Sequence, residues 1–270
     1  FTAPVAAPLT AHVFVDGDIR FAAGQVSSIG WFGASATEAV DSLPAIQAAL
    51  DAVHVAGGEV QVPGGVGKYD CGDPMVLSQH QIDVGSNTTL RWLGQTPIAC
   101  DASWRALRGG LLNLRRTGDS VENVTIVDAV IDAGSAQTNN GIGLGTSGWE
   151  RWIKATARRL RLGRPYVYNV TGDAAGGQGG KALTFQFGVE DVVISDARVE
   201  DAFIAVSLES AGSKDIDQSA IRNVLVNGLV ARRVSRIARL LQLIDVSVSA
   251  MHSVRMTGLV GYEVGLSSQN

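Results

Sequence analysis

Apolar positions along this chain repeat with two different periods. Leu43, Ile46, Leu50 and Val53 recur at spacings of three and four, which predicts a helix over residues 41–55 with one apolar face. Asp41 or Ser42 can cap its first amides, and Pro44 falls in the first turn, where proline is tolerated. Gly57-Gly58 ends the helix, and Val60 and Val62 then alternate with Glu59 and Gln61 in the period of a strand. From there the strand period dominates. ENVTIVDAVIDA begins at Glu122, EDVVISDARVED at Glu190, RNVLVNGLVARR at Arg222 and IDVSVSAMHSVR at Ile244, with a weaker copy, SNTTLRWLG, at Ser86.

Each strong copy sets Asn or Asp before Val, any residue, then Ile or Val. Aligning Asn123, Asp191, Asn223 and Asp245 gives separations of 68, 32 and 22 residues. The short values fit one coil of a solenoid, and the long one fits two or three coils or a coil with an insertion. The inward residues are then Val124 and Ile126, Val192 and Ile194, Val224 and Val226, Val246 and Val248. Stacked like on like, they form a dry interior that no single repeat could bury alone. A β-sandwich is the competing fold, but it needs hairpin turns between adjacent strands, and too much chain separates these repeats.

Before the helix, residues 1–28 read as an arm: Pro4 and Pro8 keep the start extended, and Asp16-Gly17 between alternating segments signals a hairpin. The arm is an edge hairpin or a neck to something upstream. The long gap, residues 133–181, reads as a lateral insertion on the binding face. Its glycine stretch ending at Gly180-Lys181 is not a phosphate loop, because Ala175 and Ala182 occupy required positions.

WFGA, DSLPAIQAALDA and GGEVQVPGGVGKY together resemble the entrance of the pectate-lyase-like right-handed parallel β-helix proteins, a superfamily of polysaccharide lyases, polygalacturonases, alginate epimerases and bacteriophage tailspikes. The resemblance covers residues 29–69 and departs from the family where Asp41-Ser42 replaces the usual acidic pair. It implies an all-β fold: a right-handed parallel β-helix over residues 29–270 with an N-terminal capping helix. It also implies a polysaccharide as the partner. Tailspikes often carry an arm before such a turn, which raises the reading of a homotrimeric phage spike or receptor-binding protein, with or without depolymerase activity, on a virion surface. Its arm would then contact other virion proteins. The alternative is an extracellular polysaccharide lyase, glycoside hydrolase or uronate epimerase.

Composition narrows this picture a little. Glycine is plentiful, 32 of 270 residues, and aromatics are few, which suits short strands and tight corners. A net charge of −4 argues against a general nucleic-acid binder, and no apolar run approaches the roughly 20 residues that span a bilayer. The start lacks the regions of a signal peptide. Cys71 and Cys100 are read as free or merely structural.

Candidate chemistry follows from the repeat. Asp132 and Glu200 each lie nine residues after their repeat's Asn or Asp, so they share one lateral position, and Asp201 adjoins Glu200. These three are the candidate catalytic carboxylates, since glycosidases need an acid and an ionised partner. A solvated coil surface produces the same register. Asp128 and Asp196 share another position. The basic run supplies Arg151, Lys154, Arg158 and Arg161 with Trp149, Tyr166 and Tyr168 interleaved, the candidate substrate-binding set for an acidic glycan. The competing reading of that run is a flanking amphipathic helix. Arg232, Arg233, Arg236 and Arg239 form a second basic run, a coil edge or a subunit contact. None of the histidines stands at metal-ligand spacing, and neither a metal nor another cofactor is expected.

Overall fold

The computed structural model describes residues 7–14, 19–37, 40–71, 82–100, 110–114, 120–134, 142–146, 156–170, 180–186, 188–211, 220–243 and 251–262. Strand β1 (Gln25–Ser28) and a short 3-10 turn (Ile29–Phe32) lead to helix α1 (Leu43–His54). The chain then winds as a parallel solenoid. Its first turn is β2 (Gly58–Val62), β3 (Tyr69–Cys71) and β4 (Ile82–Asp83); the second is β5 (Thr88–Trp92), β6 (Ile98–Cys100) and β7 (Gly110–Asn113). The third is β8 (Val121–Val127), β9 (Val130–Asp132) and β10 (Ile142–Thr146), and the fourth β11 (Ala157–Gly163), β12 (Tyr166–Val170) and β13 (Lys181–Gln186). Long bent strands β14 (Val189–Ala211) and β15 (Ile221–Leu243) each trace all three sides, and β16 (Met251–Tyr262) traces two.

Three sides result. The first joins β1, β2, β5, β8, β11 and the starts of β14, β15 and β16; the second joins β3, β6, β9, β12 and the middle of the long strands. The third joins β4, β7, β10, β13 and the ends of β14 and β15. Every pairing is parallel and in register, so each interior residue sits over its equivalent one turn below. Val60, Leu90, Ile126, Leu162, Ile194 and Val226 form one such column, all buried. Val124, Leu160, Val192 and Val224 form the next.

α1 closes the N-terminal end of this interior. Ile46, Ala49, Leu50 and Val53 are buried, and Gln47 both donates to the Asp83 carbonyl (3.1 Å) and accepts from the Asp83 amide (2.9 Å). The helix thus shields apolar side chains and satisfies part of a strand edge. Asp41 caps it, accepting from the Leu43 amide at 2.9 Å.

The Asn and Asp of the repeat mark corners. Asn87, Asn123, Arg159, Asp191 and Asn223 all have φ between 53° and 58°, a left-handed conformation that Asn and Asp adopt more easily than other residues with a β-carbon. Arg159 explains a copy that the sequence pattern passes over. It stands where Asn is expected, and it is held there by a 2.6 Å bond to Asn123 Oδ1 and an ion pair with Glu122. The 68-residue gap therefore contains a regular turn, and residues 157–170, expected inside a lateral insertion, are β11 and β12 of the ladder. Leu160 is buried in a strand, so residues 157–163 are not the flanking helix that the basic run also suggested.

The last repeat is corrected too. Val224 and Val226 pair with Val254 and Met256, so these take the rungs expected of Val246 and Val248, which lie outside the described residues. In the arm, Asp16-Gly17 also lies outside them, while residues 12–14 and 19–21 form no strand. The Val13 and Phe14 amides instead donate to the Trp31 carbonyl at 2.8 Å, and the Phe21 amide to that of Ala52 at 2.9 Å. Contacts of Phe14 with Phe21 and Phe32, and of Phe21 with Trp31, dock the arm on the cap in place of a hairpin.

Candidate functional site

Two outward columns run along the second side of the solenoid, buried at Val130 and Glu200 and open to solvent toward Val230 and Tyr262. One runs Val130, Tyr166, Arg198, Val230, Val260; the other runs Asp132, Tyr168, Glu200, Arg232, Tyr262. Side chains alternate along each strand, so residues two apart in the chain stand beside one another on this face. Four of the residues singled out in the sequence, Asp132, Tyr166, Tyr168 and Glu200, meet here. The tyrosine rings stack at 4.8 Å, and the Arg198 guanidinium lies 4.6 Å over the Tyr166 ring. Beside them opens a cleft of about 670 Å³, lined by Asp196, Ala197, Arg198, Glu200, Gly228, Val230, Arg232 and Tyr262. Tyr262 is 57% exposed.

Glu200 is held on both sides. Arg198 donates to Oε1 (2.9 Å from Nε) and Arg233 to Oε2 (3.2 Å). Burial alone would raise this carboxyl, but the two guanidinium groups overcome it and keep it below the usual glutamate value. Hydrogen bonding from Arg233, 2.7 Å from Oδ2, likewise lowers Asp201. Asp132 accepts from the Asn169 side chain (2.8 Å) and the Gly134 amide (2.9 Å). It stands two rungs from Glu200, about 10 Å between backbones, with Tyr168 between them. Burial, then the Asp132 charge, pushes the Tyr168 hydroxyl up to about 12, and burial raises Tyr166 as well. Both phenols are therefore hydrogen-bonding groups at neutral pH, not bases.

The remaining candidates lie elsewhere. Arg158 is on the first side, paired with Glu122 at 2.8 Å. Arg161 is also on the first side, between Thr125 and Val193, in a smaller cleft of about 390 Å³ with Asn123, Arg159, Asp191 and Asn223. The basic run is thus split between two faces by the corner at Arg164, whose guanidinium forks onto Asp128 at 2.6 and 2.8 Å. Trp149, Arg151 and Lys154 lie outside the described residues.

No known protein family and no curated protein sequence matches the chain. Solved structures similar to it include the mannuronan C-5 epimerase AlgE4 A-module of Azotobacter vinelandii, at 14% identity and a TM-score of 0.38 over 80% of this chain and 76% of that one. ORF18 of Geobacillus virus E2 is similar at 14% identity and 0.42, over 88% of this chain and 47% of the viral one. So is PfbA, a surface adhesin of Streptococcus pneumoniae, at 12% and 0.28, over 89% and 79%. The register of the ladder decides the fold. The chain is a right-handed parallel β-helix. Sequence reasoning on this β-helix missed Arg198, Val230 and Tyr262 in the cleft. The signal available was position: each stands on the same outward column as a residue already chosen.

Proposed function

We propose that this protein recognises a bacterial surface polysaccharide on the outer face of the second side, as a homotrimeric phage spike or receptor-binding protein at a virion surface. The observation that carries the reading is the open cleft of about 670 Å³ beside stacked Tyr166 and Tyr168, with exposed Tyr262 and Arg232 on its wall. Aromatic faces lie against sugar rings, guanidinium groups fork onto hydroxyls or carboxylates, and a surface crossing several rungs suits an extended chain.

Recognition is favoured over cleavage by the state of the carboxylates. A glycosidase needs one carboxyl kept protonated, by burial or a like charge. Glu200 and Asp201 are instead held ionised by Arg198 and Arg233. The enzyme reading, a lyase, hydrolase or epimerase working through Asp132, Glu200 and Asp201, is tested by the same experiment. Oligosaccharides from a panel of bacterial surface glycans are titrated calorimetrically, and reducing ends and unsaturated products are assayed in parallel. Tyr262→Ala and Arg232→Ala are each expected to weaken binding about tenfold, the worth of one stacking or charge-assisted contact. Unchanged binding in both variants removes the cleft from the site. Product formation abolished by Glu200→Gln establishes the enzyme. Light scattering decides the trimer.

A further inference from the structure

Two polar columns outside the second-side cleft differ in access. On the third side Asn113, Thr184 and Ser207 stand in register and are at most 3% exposed, sealed from solvent. On the first side the corner column Asn87, Asn123, Arg159, Asp191 and Asn223 lies at the surface. Its side chains bond from turn to turn. Asn123 donates to Asn87 Oδ1 at 2.8 Å, Arg159 to Asn123 Oδ1 at 2.6 Å and, further up, Asn223 to Asp191 Oδ1 at 3.0 Å. The chain of bonds breaks between Arg159 and Asp191. These are ladder neighbours of opposite charge, yet the Arg159 guanidinium turns to Asn123 and Glu122 and no ion pair joins it to Asp191. Opposite charges on successive turns do pair at Arg158 and Glu122, Arg164 and Asp128, and Arg233 and Asp201.

The first-side cleft of about 390 Å³ opens at this break, within the range of roughly 300–1,000 Å³ that small-molecule sites occupy. Its cation is Arg161, exposed and, among the described residues, engaged by no carboxylate; its ladder neighbours are Thr125 and Val193. Its anion is Asp191, also exposed, whose second carboxylate oxygen is unbonded among the described residues. The two stand one rung apart and two residues along the strand, about 8 Å between backbones. Val193, 39% exposed, lies between them. Beyond Arg161 the face is bare at Gly163, where an added β-carbon would meet nothing nearer than the Ile126 carbonyl oxygen at 3.9 Å. A simple anion drawn to Arg161 is repelled by Asp191, and a simple cation drawn to Asp191 is repelled by both arginines. A ligand that carries both charges satisfies both groups.

We propose that the first-side cleft is a second ligand site, one that binds an α-amino acid as its zwitterion. The Arg161 guanidinium forks onto the carboxylate, the Asp191 carboxylate accepts from the ammonium, and Val193 carries the aliphatic side chain. The site stands independently of the cleft on the second side.

The probes are alanine, valine and leucine, each beside its methyl ester, which lacks the anion, and its N-acetyl derivative, which lacks the cation. Binding is followed by calorimetry at low salt. The wild type is expected to bind at least one of the amino acids, and both blocked forms of it at least tenfold more weakly, the worth of one charge-assisted contact. Arg161→Gln is expected to bind that amino acid about tenfold more weakly and to lose the discrimination against the ester. Asp191→Asn, whose side chain suits the left-handed φ of 55°, is expected to lose the discrimination against the N-acetyl form. The blocked probes test the same two contacts with the protein unaltered. A Tyr262→Ala, Arg232→Ala double variant is expected to bind as the wild type does. Absence of binding by the wild type, a blocked form bound as tightly as its parent, or unchanged affinity in Arg161→Gln overturns the proposal. Loss in the double variant assigns the binding to the second side and also overturns it.

Discussion

Adjacent residues on β14 offer the sharpest test of the interior stack. Ile194 faces inward between Leu162 and Val226 and is fully buried, whereas Val193 faces outward and is 39% exposed. Ile194→Ala removes three carbons, worth about 2.4 kcal/mol at roughly 0.8 kcal/mol per methylene. The cavity left between two rungs that cannot close up adds to this, for a total of about 3–4 kcal/mol. Val193→Ala removes half-solvated groups and should cost under about 0.5 kcal/mol. Urea denaturation followed by far-ultraviolet dichroism measures both, with the slopes compared to confirm that the same surface unfolds. Equal effects, or an Ile194→Ala cost below about 1 kcal/mol, would refute the parity of the whole first side, and the solenoid with it.

Acid should unfold the protein through carboxylates paired with arginine or lysine. Glu200, Asp201 and Glu209 are all lowered from ordinary values of 4.5, 3.8 and 4.5, so their contribution is complete above about pH 5 and is lost as pH falls through the depressed values. Melting temperature against pH should be flat above pH 5 and fall below about pH 4; Arg233→Met should lower the plateau and converge on the wild type near pH 2, and parallel curves would refute the pairing. At the base of the interior column, the buried Ser27 hydroxyl has no partner, so Ser27→Ala should be neutral or stabilising by up to about 1 kcal/mol in the same denaturation assay. Cys71 and Cys100 are register neighbours and buried, and burial followed by the Cys100 charge raises the Cys71 thiol. Neither should react with Ellman's reagent until the protein is denatured, and rapid labelling of the native protein would contradict their burial.

How far the sequence reveals the fold depends on which residues stack. Val124, Val192 and Val224 repeat a chemistry as well as a spacing, because each rung needs the same shape above and below it, and that makes the solenoid legible. The turn at β11 is hidden because its corner is Arg159, a residue whose left-handed conformation depends on partners, Asn123 and Glu122, that lie 36 and 37 residues away. The IDVSVS copy misled for the opposite reason: its short pattern matched, yet Val254 and Met256 fill the rungs. Asp132 and Glu200 were found together because equal offsets from a corner give equal lateral positions. The polar column of the third side was not found, since Asn113, Thr184 and Ser207 belong to no common motif and meet only through the register of β7, β10, β13 and β14.

Charge read along the sequence overstates what the arginines can offer a ligand. In a parallel stack the outward neighbours of a residue lie one turn away, about 4.8 Å above and below, so opposite charges on successive turns pair before any ligand arrives. Arg158 is taken by Glu122, Arg164 by Asp128, and Arg233 by Asp201 and Glu200. Arg161 escapes because its column offers Thr125 and Val193 in place of a carboxylate. The paired arginines stiffen corners and columns, and on the proposed reading recognition falls to side chains that no carboxylate on an adjacent turn engages. That selects Arg161 on the first side and Tyr262 on the second. It also makes salt dependence diagnostic. If the polysaccharide is held mainly through Tyr262, affinity should change less than about twofold between 50 and 500 mM salt. A steep loss over that range would return the dominant role to the cations, Arg161 and Arg232 foremost.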